Sequence, residues 1–385
     1  MKEKSDWWKG IAGLLVLAVV AAGLGLLFRG QRPTPMATEP TATVTTTCTP
    51  TPTMTPVSTA TPTPALPTGA PGPRHLSAAV EVQVPQGFRL MDLCGDTVAG
   101  SLRVNDEPQI VLLNLTTGAM KQISSATGTE AKYSARLSDS WVVWLETTES
   151  EVRLKTYNRE TESEYTVEVR SLAALDLSGD VVVWEEWGGQ ENQDDIFAQD
   201  LRTGQRWTIA QCPGNQMFPR ISREWVIYLD VAKYGRREQV ADLWAYNLAS
   251  GKDRVLGQVF HPLMGSAGIY HALSGSRVVW TTPMGADYTF QVLSLDLDNP
   301  QDQPSVVMSP GDFAPGSLRL FDDILVYHWQ RGKVLYDLRR GEELTFLDRT
   351  TAIFISGDQV VWEALLDVDG NGEWSYRLYI ATIEQ

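Results

Sequence analysis

From about residue 75 onward, apolar and polar positions fall into two phrases that take turns along the chain. The first is an apolar residue, a small polar turn, and a β-rich run ending in an aromatic. It reads LCGDTVAG at 93–100, LSDSWVVW at 137–144, LSGDVVVW at 177–184 and ISREWVIY at 221–228, then LSGSRVVW at 273–280, LFDDILVY at 320–327 and ISGDQVVW at 355–362. The second is an alternating strand that ends near Asp or Asn and often Gly. Its copies are IVLLNLTTG at 110–118, LKTYNRET at 154–161, IFAQDLRTG at 196–204, LWAYNLASG at 243–251, VLSLDLD at 292–298, VLYDLRRG at 334–341 and LYIATIE at 378–384. The Asn and Asp positions 114, 158, 200, 247, 296 and 337, with Thr382 as the seventh, are spaced by 44, 42, 47, 49, 41 and 45 residues.

Alternation with period two predicts half-buried strands, and the SGD and D-L-x-T-G stretches supply turn residues that tolerate tight or left-handed conformations. Each copy predicts strand–turn–strand–loop–strand–turn–strand. Seven copies of four short antiparallel strands predict an all-β, seven-bladed β-propeller, in which radial repetition protects the sheet edges. Trp144, Trp184, Trp280 and Trp362 share one position, with Tyr228 and Tyr327 in two more copies; their expected role is to fill the wedges between blades. Gly100 stands at that position in the first copy, so a six-bladed ring with a decorated N-terminus is the alternative. The seventh copy ends with its third strand. The segment Leu76–Val84, with Val80, Val82 and Val84 in alternation, is expected to pair antiparallel with 378–384 and close the ring, rather than merely extend what precedes it.

The chain has 385 residues and a net charge of −15, which excludes a phosphate-tracking nucleic-acid binder. Upstream of the repeats the composition changes twice. Residues 11–28 carry no charge and, at 1.5 Å per residue, reach roughly 27 Å as a helix. With Trp7 and Trp8 beside it and Lys2, Lys4 and Lys9 before it, this segment is expected to be an uncleaved membrane anchor following a short cytoplasmic tail, 1–10. A cleaved signal peptide is the competing expectation. Residues 31–74 contain 11 Pro and 15 Thr. Such a stretch has little to bury and too many prolines for regular structure. Residues 29–74 are therefore expected to form an extended stalk, roughly 130 Å long if polyproline-like, holding a monomeric head, 75–385, outside the cytoplasm.

Phrases such as FPRISREWVIY, ISGDQVVW and DDIFAQDLRTG resemble the TolB-type β-propeller repeats of bacterial periplasmic and cell-surface proteins. The resemblance spans about 88–385. It implies an extracytoplasmic scaffold that binds a protein or other ligand and is not an enzyme. The best-known members have six blades and lack an anchor and stalk, so this chain departs from them in both.

Candidate chemistry is sparse. The sharpest motif is Asp367-Val-Asp369-Gly-Asn371-Gly-Glu373-Trp-Ser375. Oxygen ligands at alternate positions followed by Gly can curl around a hard cation, with the Glu373 carbonyl as a fourth ligand and Ser375 closing the loop. Calcium is the expected ion, and a metal-free polar hairpin the alternative. No G-x-S-x-G elbow is present. The paired acids Glu185-Glu186, Asp194-Asp195 and Asp322-Asp323 point to opposite strand faces and form no dyad. His75, His261, His271 and His328 are expected in loops or grooves. The two kinds of short turn share one face; the longer connections occupy the other, where binding on a rigid scaffold usually resides. Trp187, Tyr234, Arg236, Arg237, His261, Tyr270, Tyr288 and Trp329 are the expected ligand-face residues. The expected partner is a protein or a cell-envelope polysaccharide; the alternative function is that of a secreted glycan hydrolase or lyase. Cys94 and Cys212 fall on opposite faces, out of disulfide reach of each other, and both are expected to be free thiols.

Overall fold

The computed structural model describes residues 74–125, 131–148, 151–170, 172–187, 193–231, 240–260, 269–284, 289–311, 316–329, 332–366 and 375–384. These residues form seven antiparallel sheets of the blade type, in chain order around an axis. Blade 3 shows the pattern. Its inner strand Leu172–Ser178 pairs with Val181–Trp187, which pairs with Asp194–Asp200, which pairs with the outer strand Arg206–Ala210.

One hydrogen bond recurs in all seven blades. The N–H of Leu115, Arg159, Leu201, Leu248, Leu297, Leu338 and Ile383 donates to the carbonyl of the second turn residue of the same blade, at 2.8–2.9 Å. These donors directly follow the Asn, Asp and Thr positions that set the sequence period. In four blades Asn114, Asp200, Asn247 and Asp337 also accept, through the main-chain carbonyl, from Gly118, Gly204, Gly251 and Gly341. All four glycines have positive φ, between 65° and 77°, which explains the Gly ending that phrase. The first copy is thus a full blade, and the ring has seven.

Each of the six aromatics is buried and packs against the preceding blade. Trp144 packs with Ala99 and Ile110 of blade 1, and Trp280 with Ile227 and Leu243 of blade 4. Burying a large apolar side chain stabilises by about 1.5–3 kcal/mol, so these rings fix the blade spacing. In blade 1 the aromatic comes from elsewhere: Phe88, just before the inner strand Arg89–Cys94, fills the space that Gly100 leaves and packs on Phe354 and Leu378 of blade 7.

The ring is closed by the N-terminal segment. His75–Leu76 and Val80–Val82 both pair antiparallel with Tyr376–Glu384, in the registers Leu76↔Ile383, Val80↔Ile380 and Val82↔Leu378. Val82 and Val84 pack on the core, while Val80 is 62 % exposed. Among the described residues no helix is long and apolar enough to cross a membrane; the expected anchor, 11–28, and residues 29–73 of the expected stalk lie outside them.

Cys94 is a free thiol, as expected. Cys212 is not: it is disulfide-bonded. The distance argument removed Cys94 as its partner but not every other one.

Candidate functional site

The inner strands lie side by side around the axis, and the residue just before each first phrase forms a ring there: Asp92, Arg136, Asp176, Arg220, Ala272, Arg319 and Phe354. Five of the seven are charged. They come from five different blades, yet the charges of Arg136, Asp176 and one another enter the shifts of Asp92, Arg220 and Arg319, as for groups gathered about one axis. Their formal sum is +1, inside a chain of net charge −15.

Local backbone geometry presents the arginines. Each follows a β-bulge in its inner strand, with register shifts at Tyr133/Arg136, Met217/Arg220 and Gly316/Arg319. Two residues before each, a non-glycine residue has positive φ: Ser134 at 55°, Phe218 at 54° and Ser317 at 53°. Bulges re-aim side chains, and residues held in this region store strain.

The two aspartates are already engaged. Asp92 Oδ2 accepts from the Leu137 N–H at 2.8 Å, and Asp176 Oδ2 from the Ile221 N–H at 3.1 Å, so each ties its blade to the next. Asp176 Oδ1 also takes Arg136 Nε at 3.3 Å. Burial pushes the Asp92 carboxyl above its ordinary value, opposed by Arg136 and the Leu137 N–H.

Arg220 and Arg319 differ: among the described residues neither guanidinium has a hydrogen-bond acceptor. Arg319 lies 4.2 Å over the Phe354 ring. Burial, and then the charges of Arg136 and Arg220, pull its pKa down to about 9, still protonated at neutral pH. Arg220 is lowered chiefly by burial too. Two buried cations whose charges act on each other, without acceptors among the described residues, suit an anion, which would relieve their repulsion and accept in bidentate fashion. Lys333 of blade 6, brought down to about 8 by burial and then by Arg319, adds a nitrogen that titrates near neutrality.

The residues expected on the ligand face are dispersed. Trp187 is 50 % exposed at the end of its strand. Tyr270 is buried and meets Phe260 edge-on at 5.0 Å, so it is a core residue, placed there by the apolar cluster between blades 4 and 5. Trp329 is half-buried against the core of blade 6. Tyr234, Arg236, Arg237, His261 and Tyr288 lie outside the described residues. So do Asp367, Asp369, Asn371 and Glu373 of the expected calcium loop; its closing residue, Ser375, accepts from the Leu366 N–H through its carbonyl at 2.9 Å.

Glu185 and Glu186 split as strand geometry requires, whereas Asp322 and Asp323 lie in the turn between Gly316–Phe321 and Ile324–Trp329, so the strand argument does not apply to them. Glu185 Oε2 accepts from the Phe218 N–H, whereas Glu186 takes the Trp184 indole and Arg206. His271 corrects the expectation of a loop or groove histidine. It is fully buried in the inner strand of blade 5, with Nε2 2.9 Å from the Phe218 carbonyl. Sequence reasoning alone does not pick out the arginine ring, because each ring residue stands one position before the apolar residue that opens the repeated phrase.

No family model and no curated protein sequence matches the chain, so the TolB-type resemblance stands without a family match. Solved structures do match. An oligogalacturonate lyase in complex with manganese is 13 % identical, with a TM-score of 0.57, over 80 % of this chain and 93 % of that one. A prolyl endopeptidase is 12 % identical, with a TM-score of 0.59, over 76 % of this chain and 46 % of that one. The propeller domain of the Trilobed protease from Pyrococcus furiosus, described as having an open velcro topology, is 13 % identical, with a TM-score of 0.54, over 80 % and 93 %.

Among the described residues no three His, Cys, Asp or Glu side chains converge as metal ligands. Those residues therefore supply no ligand set for a manganese ion. The expectation of a non-enzyme is overturned by these neighbours, which include a lyase and an endopeptidase. At 12–13 % identity, what the chain shares with them is the fold, a seven-bladed β-propeller.

Proposed function

We propose that the propeller takes an acidic saccharide at its central arginine ring and acts on it as a glycan lyase or hydrolase. The observation that carries this is the pair Arg220 and Arg319, two guanidiniums facing one axis without an acceptor among the described residues. A sugar carboxylate bound there would take charge-assisted hydrogen bonds from both. Neutralising that carboxylate acidifies the adjacent C–H. In the lyase form of the reaction a base removes that proton, the C–O bond to the leaving sugar breaks, a C=C bond forms, and the leaving oxygen takes a proton from water. Lys333, with its lowered pKa, is the candidate base. The first neighbour's name, oligogalacturonate lyase, agrees with an acidic sugar as substrate. Within this reading, 11–28 anchors the chain in a membrane and 29–74 spaces the head from it.

The test is turnover of a panel of acidic and neutral oligosaccharides by the full chain, read as new reducing ends and as the ultraviolet absorbance of an unsaturated uronate. Turnover of acidic members alone, lost in Arg220→Gln/Arg319→Gln, is expected. Turnover unaffected by that double variant would overturn the assignment.

A further inference from the structure

Resting on that reading, we infer that Glu185 and His271 are positioning residues: together they hold the Phe218 peptide in the left-handed bulge that aims Arg220 at the axis. The conformation needs holding. A bulky side chain at φ 54° is a rare and strained state. Pro219 follows, and a proline pushes the residue before it toward extended backbone. The corresponding residues before Arg136 and Arg319 are the smaller Ser134 and Ser317. Left to itself, Phe218 would straighten.

Two neighbouring blades prevent this. Glu185, 3 % exposed on the second strand of blade 3, accepts from the Phe218 N–H through Oε2 at 3.0 Å. His271, in the inner strand of blade 5, meets the Phe218 carbonyl at 2.9 Å. A carbonyl only accepts, so Nε2 carries the hydrogen. The donor and the acceptor of one peptide residue are thus fixed from opposite sides. The bond has a structural counterpart: Glu363 of blade 7 accepts from the Leu90 N–H of blade 1 at 3.0 Å, at the same step of the repeat. At Leu90 no positive φ is involved, and the ring residue that follows is Asp92. Among the described residues, only blade 4 joins this clamp to a bulky left-handed residue and an arginine. If the bulge between Met217 and Arg220 closed, the strand would slip by a residue, and a one-residue slip turns a side chain to the other face. Arg220 would then leave the ring.

The experiment measures trigalacturonate binding to the full chain by calorimetry, with thermal unfolding in parallel. Glu185→Ala and His271→Ala are each expected to weaken binding about tenfold, the scale of one lost hydrogen bond. Glu185→Gln, which keeps an accepting oxygen, should bind like the unaltered protein. Phe218→Gly in the Glu185→Ala background should recover affinity, because glycine holds this φ without strain. If Glu185→Ala fails to fold, His271→Ala and Phe218→Gly carry the comparison. Arg220→Gln separates the two claims. Should it weaken binding while both clamp variants bind normally, the clamp is wrong; should it bind normally, the arginine ring itself is wrong.

Discussion

Phe88 lies over Gly100: its Cε2 is 2.5 Å from where a Cβ on residue 100 would stand, and the Arg89 carbonyl oxygen is 2.8 Å away. Six blades supply a wedge aromatic from their second strand, and blade 1 supplies it from the segment entering its first. Gly100→Ala should therefore destabilise by about 1–3 kcal/mol through overpacking. Phe88→Ala should cost about 3–5 kcal/mol through the cavity it leaves. Phe88→Ala/Gly100→Ala removes the ring contact and leaves only that of the Arg89 carbonyl, so its loss should be smaller than the sum of the two single losses. Urea unfolding of the four proteins gives the coupling; additive losses would show that the two positions are independent.

Ring closure predicts a second loss. The pairing of His75–Leu76 and Val80–Val82 with Tyr376–Glu384 covers the outer edge of blade 7, and Val82 packs in the core with Leu378. Deleting 75–82 should lower the melting temperature by several degrees, more than removing the exposed ion pairs His75–Glu384 and Arg377–Glu81, which sit in water and contribute little. A melting temperature equal to that of the ion-pair variants would mean that the clasp adds nothing.

These elements were legible because each is written locally. The wedge aromatics stand at a fixed place in a phrase, and Val80, Val82 and Val84 alternate within five residues. The substitution of Phe88 for the missing aromatic was not, because nothing in the string LCGDTVAG points twelve residues upstream of Gly100. The arginine ring lies between these cases. Arg136, Arg220 and Arg319 each stand one residue before a recognised phrase, so the signal was there. That three residues so far apart in the chain share an axis follows only from closure of the ring. Tyr270 misled for the opposite reason: it adjoins a long connection, but Phe260 and the cluster between blades 4 and 5 draw its ring inward.

Glu185 gives a pH dependence. Burial raises its pKa from 4.5 to about 7, against the Phe218 N–H, with Asp194 adding to the rise. The folded chain therefore holds this proton more tightly than the unfolded chain. The resulting stability is full below about pH 4.5 and is lost as pH rises through about 7. Its size is up to about 3 kcal/mol. Glu185→Gln should flatten this part of the profile in urea unfolding between pH 5 and 8. An unchanged slope would assign the dependence to other groups.

Cys94 occupies a position where other blades carry serine. Ser178, Ser222, Ser274 and Ser356 each accept through Oγ from a turn N–H of the next blade, at 2.8–2.9 Å. Cys94 instead reaches Asp139 of blade 2, with Sγ 3.3 Å from Oδ1. Burial, and then this hydrogen bond, push the thiol up to about 12. Alkylation of Cys94 in the folded protein should thus be far slower at pH 8 than that of an ordinary thiol, and Cys94→Ser should be tolerated without loss of stability. Rapid labelling at pH 8 would contradict this placement.

The central claim is that Arg220 and Arg319 form an anion site on the propeller axis. Its most direct test is a calorimetric titration of the full chain with trigalacturonate, alongside Arg220→Gln/Arg319→Gln and a neutral trisaccharide as control. Trigalacturonate is expected to bind saturably, and binding to weaken with added salt. A loss of at least about tenfold is expected in the double variant, and no binding of the neutral sugar. Equal affinity of the two proteins for trigalacturonate, or equal binding of the neutral sugar, would contradict the claim.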